Sequence, residues 1–415
     1  MNKPLHETIK VCRICGSNRI ETFLELGAQP PANSLRDNLA EKLPLVPLSL
    51  CRCAQCATVQ LTETVDPEHL FKHYVWVTGT SSTAKNYANL FCQEACKRLK
   101  VKDPFIIEVA SNDGTFLRVF KDKGFRVLGI DPAENIVKMA NDSGIPTLAA
   151  FFGQKVAEKV KSDKGLADFI FARNVIPHVA NVHDVIAGMK HCLAPQGVGV
   201  IEFHYAGLIV DGLQYDSIYH EHLFYFSLKS IKYLLEQHGL EAFDLLESPI
   251  SGGSLAIYFS HQGINKPVEA RLKQKIKEEE EKGLNSKETW DKFADDCRRH
   301  KDKFVELILK EKLGKKSLIG YGSSARSSTL LNYCKIDKEH LICIADQNPL
   351  KHKKYTAGSD ILIVSPDEAF SKNPDIIVLL AWNFKTEIIS LLKNKYHFCG
   401  KVITPLPNYP GTLQL

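Results

Sequence analysis

Short apolar runs alternate with amphipathic stretches through the middle of the chain. FIIEVA (105–110), FRVLGID (125–131), ADFIFARNV (167–175) and GVGVIEF (197–203) are rich in β-formers, and each adjoins a segment with apolar positions at helical spacing. Between about 80 and 260 this alternation predicts a mostly parallel sheet covered by helices. SLIGYG, LICIAD, DILIVS and DIIVLLAW form a second series that predicts four more parallel strands. Between the two series lies a stretch dense in Lys and Glu. Its Trp290, Phe293, Phe304, Leu307 and Ile308 recur at helical spacing, which predicts one or two solvent-faced linking helices. The first 75 residues differ from both, with paired cysteines, prolines and short strand-like runs at 48–50 and 58–61. The expected units are 1–75, 76–265 and 266–415.

The 415 residues are too many for one ordinary domain, which agrees with this division. Apolar residues at 44% and charged residues at 24% describe a globular chain in water. The net charge of +5 is spread along the sequence and is too mild to argue for nucleic acid or an anionic membrane. No run of about 18 apolar residues is present, and MNKPLHETIK lacks the apolar stretch of a secretion signal. Twelve cysteines in a chain of this length and character are expected to be reduced thiols, so a cytoplasmic location is the expectation, and separately a monomer is expected.

Four of those cysteines carry a pattern. Cys12-x-x-Cys15 and Cys53-x-x-Cys56 are two knuckles, and Gly16 supplies the tight turn after the first. Two such turns bring four thiolates to the corners of a tetrahedron, which suits zinc. With every corner a cysteine, no coordination position stays open for water, so the metal is expected to be structural. Cys51 reads as a spare, and thiol clusters without metal are the plainer alternative.

The stretch from Phe105 to Gly114 is the strongest chemical signal. An apolar strand ends in Glu108, and the loop Ser111-Asn112-Asp113 leads through Gly114 into a helix. A single glycine in this βα turn is not the phosphate-cradling G-x-G-x-x-G of dinucleotide sites. It favours S-adenosylmethionine, which presents an ammonium and a carboxylate rather than a phosphate. The next strand ends in Asp131, placed to accept hydrogen bonds from two ribose hydroxyls, although a helix cap before Pro132 would also explain it. Phe151 and Phe152 could flank the adenine, and Asn174 follows the fourth strand. These spacings resemble those of class I methyltransferases.

Residues 213–227 read LQYDSIYHEHLFYFS and crowd Tyr219, His220, Glu221 and His222 together, with His178 as a possible companion. An imidazole is largely neutral at pH 7 and can take a proton, an adjacent carboxylate can fix its tautomer, and a tyrosine can hold an oxyanion. Surface histidines and a core tyrosine are the bland reading of any one of these residues alone. A His–Glu–His metal site is disfavoured by the spacing and the missing third ligand.

Taken whole, the chain resembles the nucleotide-sugar C-methyltransferases that make branched deoxysugars. The resemblance is carried by the four-cysteine module with LGAQPPAN, by LFKHYVWVTGTSS, EVASNDGTFL, GIDPAENI and YDSIYHEHLFYFS, and by SGGSLAIY, YGSSARSSTLLNY, ADQNPLKHKKYTAG and LLAWNF. It implies a class I methyltransferase Rossmann-like central domain, an N-terminal zinc-binding module and a C-terminal Rossmann-like α/β domain. It also implies a 4-keto sugar on a nucleoside diphosphate, usually dTDP, methylated at C-3 after a base removes the proton beside the ketone. His222 matches the base, with Tyr219, Glu221, His178 and Tyr74 as companions. A helical turn would put Tyr219 and His222 on one face. Trp76 departs from the commoner Tyr-rich pattern beside Tyr74, and Arg326 stands where lysine is common. The resemblance places the nucleotide end against Ser323, Ala325 and Arg326, where a helix start and a forked cation suit a phosphate, with Asn348, Trp382 and Asn383 framing sugar or base.

Two other readings compete. A methyltransferase acting on oxygen or nitrogen of another small molecule needs no carbon acid and no nucleotide-binding domain. A zinc-knuckle nucleic-acid binder on the same scaffold needs a basic, aromatic-interleaved stripe that the sequence lacks.

Overall fold

The computed structural model describes residues 4–67, 70, 77–264 and 266–415. Its centre is a seven-stranded sheet whose strands we number β1 (Phe105–Val109), β2 (Arg126–Asp131), β3 (Thr147–Ala149), β4 (Ala167–Arg173), β5 (Leu193–His204), β6 (Leu240–Ser248) and β7 (Ser254–His261). The spatial order is β6-β7-β5-β4-β1-β2-β3. The first five run parallel, and β7 lies antiparallel between β5 and β6.

Each of the five positions in β1 is buried. That is why the strand reads as a continuous apolar run and not as an alternation: helices cover both faces. Phe91 of the helix Ser82–Cys96 and Phe120 of the helix Thr115–Asp122 meet Phe169 and Phe171 of β4 on one face, with Phe91 and Phe171 rings 5.0 Å apart. Four rings of this size dominate the local burial. The order reverses between β1 and β4, so the crevice at their carboxyl ends is where a ligand enters.

The N-terminal unit is an antiparallel sheet of Ile20–Gln29, Val46–Cys53 and Val59–Leu61, closed on its far edge by Phe224–Tyr225 from the central chain. That last pairing stitches the cysteine module to the segment that follows His222. The C-terminal unit has six strands, not four. The expected Leu318–Tyr321, Ile344–Ala345, Ile363–Val364 and Ile376–Leu379 are joined by a fifth parallel strand, Lys401–Thr404, and an antiparallel edge, Gly411–Gln414. Two helices, Ala270–Glu281 and Lys287–Leu313, occupy the linking stretch. The longer one is more than a solvent-faced spacer: Trp290 packs 5.5 Å from Phe23, and Phe293, Phe304 and Ile308 are buried. Among the described residues, no helix is long and apolar enough to cross a membrane.

Candidate functional site

Cys12, Cys15, Cys53 and Cys56 converge, with all four sulfurs within 4.8 Å of one another. Cys12 and Cys56 are 3.6 Å apart and Cys15 and Cys53 are 3.4 Å apart. Four thiolates about 2.3 Å from a tetrahedral zinc stand roughly 3.8 Å from each other, so the donor set fits that ion. Cys12 Sγ also accepts from Gln60 Nε2 at 3.1 Å and from the Ile14 amide at 3.4 Å, bonds of the kind that hold a ligand thiolate in place. Cys51 is buried outside the group.

At the end of β1 the chain turns through Ala110, Asn112 and Gly114, all at positive φ. A Cβ on Gly114 would come within 2.7 Å of Ile145, so the turn requires the bare glycine. Glu108 is buried, and burial holds its carboxyl well above the usual range. Its Oε2 and the Ser111 hydroxyl have no hydrogen-bond partner among the described residues. Buried polar atoms left open in this way fit a crevice that receives a polar ligand. Asp131 accepts from the Asn112 and Ala133 amides, each at 2.9 Å. The helix-cap reading therefore holds, yet each oxygen keeps a further lone pair for a hydroxyl. Burial raises the Asp131 pKa. Phe152 is 9% exposed and Phe151 is 59% exposed, so the two rings do not face one pocket. Asn174 takes a positive φ directly after β4, and its amide donates to the Glu202 carbonyl at 2.8 Å.

Residues 219–222 form a turn, closed by the His222 amide on the Tyr219 carbonyl at 2.9 Å. The turn brings the Tyr219 hydroxyl to 2.8 Å from His222 Nε2. His222 Nδ1 lies 2.9 Å from the Ser217 carbonyl. A carbonyl only accepts, so Nδ1 carries the proton and Nε2 keeps its lone pair, on which the tyrosine hydroxyl donates. The His178 ring stands 4.7 Å from His222. Burial lowers the His178 pKa to about 4, against carbonyls of Glu221 and Asn174 that raise it. Burial, followed by the neighbouring His178, holds His222 well below the usual imidazole range. Burial pushes the Glu221 carboxyl up to about 7, opposed by a bond from Asn33. His220 separates from this group, since its Nε2 meets the Val46 and Pro47 carbonyls at 3.2 Å and ties the turn to the N-terminal sheet. Tyr74 and Trp76 lie outside the described residues.

In the C-terminal unit the fork of Arg326 is occupied. Its Nη2 and Nε donate to the two oxygens of Asp216 at 2.8 and 3.1 Å, and its guanidinium stacks 4.5 Å from the Trp382 ring. Trp382 Nε1 donates to the same carboxylate at 2.7 Å. The structure thus gives Arg326 an ion-pairing partner across the domain seam where a phosphate was expected, and gives Trp382, expected to frame sugar or base, a hydrogen-bond acceptor in the same carboxylate. Asn348 caps the short helix Pro349–Lys351 through Leu350, and Asn383 is half-buried beside Trp382. Ser323 and Ser324, the cap of the helix that begins at Ala325, line a cavity with Ser327, Lys351 and Asn33. Lys351 Nζ donates to the Ser323 carbonyl and lies 3.3 Å from Asp346.

Three further residues of the seam escaped the sequence reading. Asn33 donates to Glu221 Oε1 at 2.5 Å. His204, the last residue of β5, is buried, with burial lowering its pKa to about 3. Gln214 accepts from Arg326 at 3.2 Å. Only His204, two positions beyond Glu202 at a strand end, had a signal that could have found it.

Against protein families, residues 12–71 match a zinc binding domain, 85–245 a methyltransferase domain and 249–407 a C-methyltransferase C-terminal domain. The C-methyltransferase NovU of Streptomyces niveus is 31% identical over 402 residues, covering 96% of each chain. Among solved structures, magnesium protoporphyrin IX methyltransferase of Synechocystis PCC 6803 is 10% identical, covers 43% of this chain and 79% of its own, and has a TM-score of 0.33. An S-adenosylmethionine-dependent methyltransferase of Clostridium acetobutylicum is 11% identical, with coverages of 45% and 94% and a TM-score of 0.36.

Proposed function

Because the chain belongs to the C-methyltransferase family, we propose that it methylates C-3 of a dTDP-linked 4-keto-deoxysugar through base-assisted enolate formation, as a cytoplasmic monomer. The methyl donor is S-adenosylmethionine, which supplies an electrophilic methyl on a sulfonium. Glu108, Ser111, Asn112, Gly114 and Asp131 are the residues assigned to hold it, with Phe152 and Asn174 at its edge. The zinc of the four cysteines is structural.

The observation that carries the reading is the locked tautomer of His222. With Nδ1–H spent on the Ser217 carbonyl, Nε2 is the only nitrogen able to take a proton. Its depressed pKa keeps it neutral, hence competent as a base, across the physiological range. The Tyr219 hydroxyl that now donates to Nε2 can turn to the developing enolate oxygen once substrate displaces it, so one group is freed as the other is stabilised. A neutral imidazole could also take a proton from oxygen or nitrogen, and the C-methyltransferase family match is what favours carbon as the acceptor.

In this reading units 1–75, 76–265 and 266–415 hold zinc, methyl donor and nucleotide sugar in turn. The diphosphate is assigned to the capped helix start beside Ser323, Ser324 and Ala325, near Lys351, with Asn348 and Asn383 toward the sugar or base. Arg326 and Trp382 frame that site through Asp216. Incubation with labelled S-adenosylmethionine and a panel of dTDP-4-keto-deoxysugars, followed by NMR of the product, tests the proposal. A new methyl on C-3 is expected. Label on oxygen or nitrogen, or on another ring carbon, overturns it.

A further inference from the structure

We infer that Asn33, from the cysteine-bearing module, is a positioning residue that orients Glu221 and keeps it ionisable beside the site, so that the zinc module forms part of the reaction centre. This rests on the function proposed above.

The geometry runs across 188 positions of sequence. Asn33 follows Pro30-Pro31 at the exit of the strand Ile20–Gln29, and a turn from the Ser34 amide to the Pro31 carbonyl at 3.0 Å fixes the loop. Two consecutive prolines limit the backbone freedom leading to that position. The Asn33 side chain reaches Glu221 Oε1 with its amide nitrogen, while the same residue lines the cavity that contains Ser323, Ser324 and Lys351. One amide therefore touches a buried carboxyl on one side and the cavity beside the helix start assigned to the diphosphate on the other.

Glu221 needs such a partner. It is 5% exposed, and a carboxylate taken out of water without a donor reverts to the neutral acid. Burial and the Asn33 bond are the influences that set its pKa, one raising and one lowering it. The titratable groups around it are imidazoles and a phenol of its own turn, Tyr219, His220 and His222, together with His178, whose ring donates to the Glu221 backbone carbonyl. Lys351, which lines the same cavity as Asn33, is turned to the Ser323 carbonyl and Asp346. The amide is thus the one described donor that favours the charged carboxylate. Removing it leaves the neutral acid dominant at neutral pH.

Asn33→Asp tests this with little change of shape, since the amide donor becomes an acceptor of the same size. Asn33→Leu removes both functions. The first measurement is infrared spectroscopy of the carboxyl carbonyl stretch on the whole protein without substrate, with Glu221→Gln identifying the band. In the wild type the protonated band disappears with a midpoint near the value given above. In both variants the midpoint moves up by about one pH unit or more, with the larger shift in Asn33→Asp because a like charge also opposes ionisation. The second measurement is the pH profile of kcat, whose acidic limb is expected to move in the same direction. An unmoved infrared midpoint in folded variants overturns the inference, as does a loss of activity that is equal at all pH values. The infrared result does not depend on the substrate. A shifted band in a protein that methylates no keto sugar would sink the functional proposal and leave the Asn33–Glu221 linkage standing.

Discussion

His222 carries the chemistry in this reading, and its deletion has a direct signature. In His222→Ala, exchange of the substrate's C-3 hydrogen with deuterated solvent is expected to fall about 10²-fold or more, because the nitrogen assigned to take that proton is removed. Exchange at the wild-type rate would remove His222 as the base. A second residue reports on the same enclosure. Native His204 is held at about 3, whereas an unfolded imidazole titrates near 6.5. Between those values the unfolded chain binds a proton that the native chain refuses, so this residue costs stability as pH falls. In His204→Asn that contribution is gone. Denaturant unfolding at a series of pH values should show a shallower slope than the wild type, by up to about 1.4 kcal/mol per pH unit. Identical slopes would mean that His204 is not buried as a neutral ring. Local chemistry of this kind was partly legible. Tyr219, Glu221 and His222 are adjacent in sequence and announced themselves as a cluster. Asn33 did not, because nothing local in PPAN indicates a carboxyl that only folding brings near.

At the scale of elements, periodicity reported what each segment buries against but not what joins it at an edge. The continuous apolar run of β1 and the helical spacing around Trp290 follow from burial, and both were readable. The two-residue strand Phe224–Tyr225 was not, since its meaning lies in pairing with Val59–Leu61. That pairing has a consequence for the metal. Cys53 and Cys56 flank the hairpin turn that leads into Val59–Leu61, so loss of zinc loosens the strand to which the segment after His222 is bonded. A structural zinc contributes folding energy outright, and its removal is felt wherever the module is paired. Cys56→Ser, or prolonged chelation, is expected to reduce zinc content from one ion per chain, lower Tm and reduce kcat together. Full activity in a metal-free protein would detach the module from the site. The three-residue spacing of Tyr219 and His222 likewise left open which local structure joins them. A spacing of three serves a tight turn as well as a helix, and the bond from the His222 amide to the Tyr219 carbonyl closes the smaller unit.

Across the whole molecule, the seam between the central and C-terminal units is held by a buried ion pair. Asp216 is almost wholly enclosed, and it receives Arg326 and Trp382 from the far side of the seam. Such a pair adds little net stability over well-packed apolar groups, but breaking it leaves one charge stranded in a low-dielectric interior. Its value here is therefore geometric: it fixes where the cavity of Ser323 and Lys351 stands relative to His222. The sequence offered Arg326 as a candidate and Asp216 only as one residue of LQYDSIYHEHLFYFS, 110 positions away, and only the folded chain shows that each is the other's partner. Asp216→Asn keeps the shape and an acceptor for the Trp382 indole while withdrawing the charge that Arg326 needs. The expected cost is about 3 kcal/mol in unfolding free energy. Since the strain falls on the seam and not on β1 or β2, binding of S-adenosylmethionine should be unchanged while KM for the nucleotide sugar rises. Hydrogen exchange should quicken at 322–328 and 382–384 and stay as in the wild type at 105–114. Faster exchange at both places would mean that the pair supports the central fold as a whole. Unchanged exchange at 322–328 would mean that packing alone sets the seam, and the cavity would then have to be positioned by the long helix Lys287–Leu313 that both outer units share.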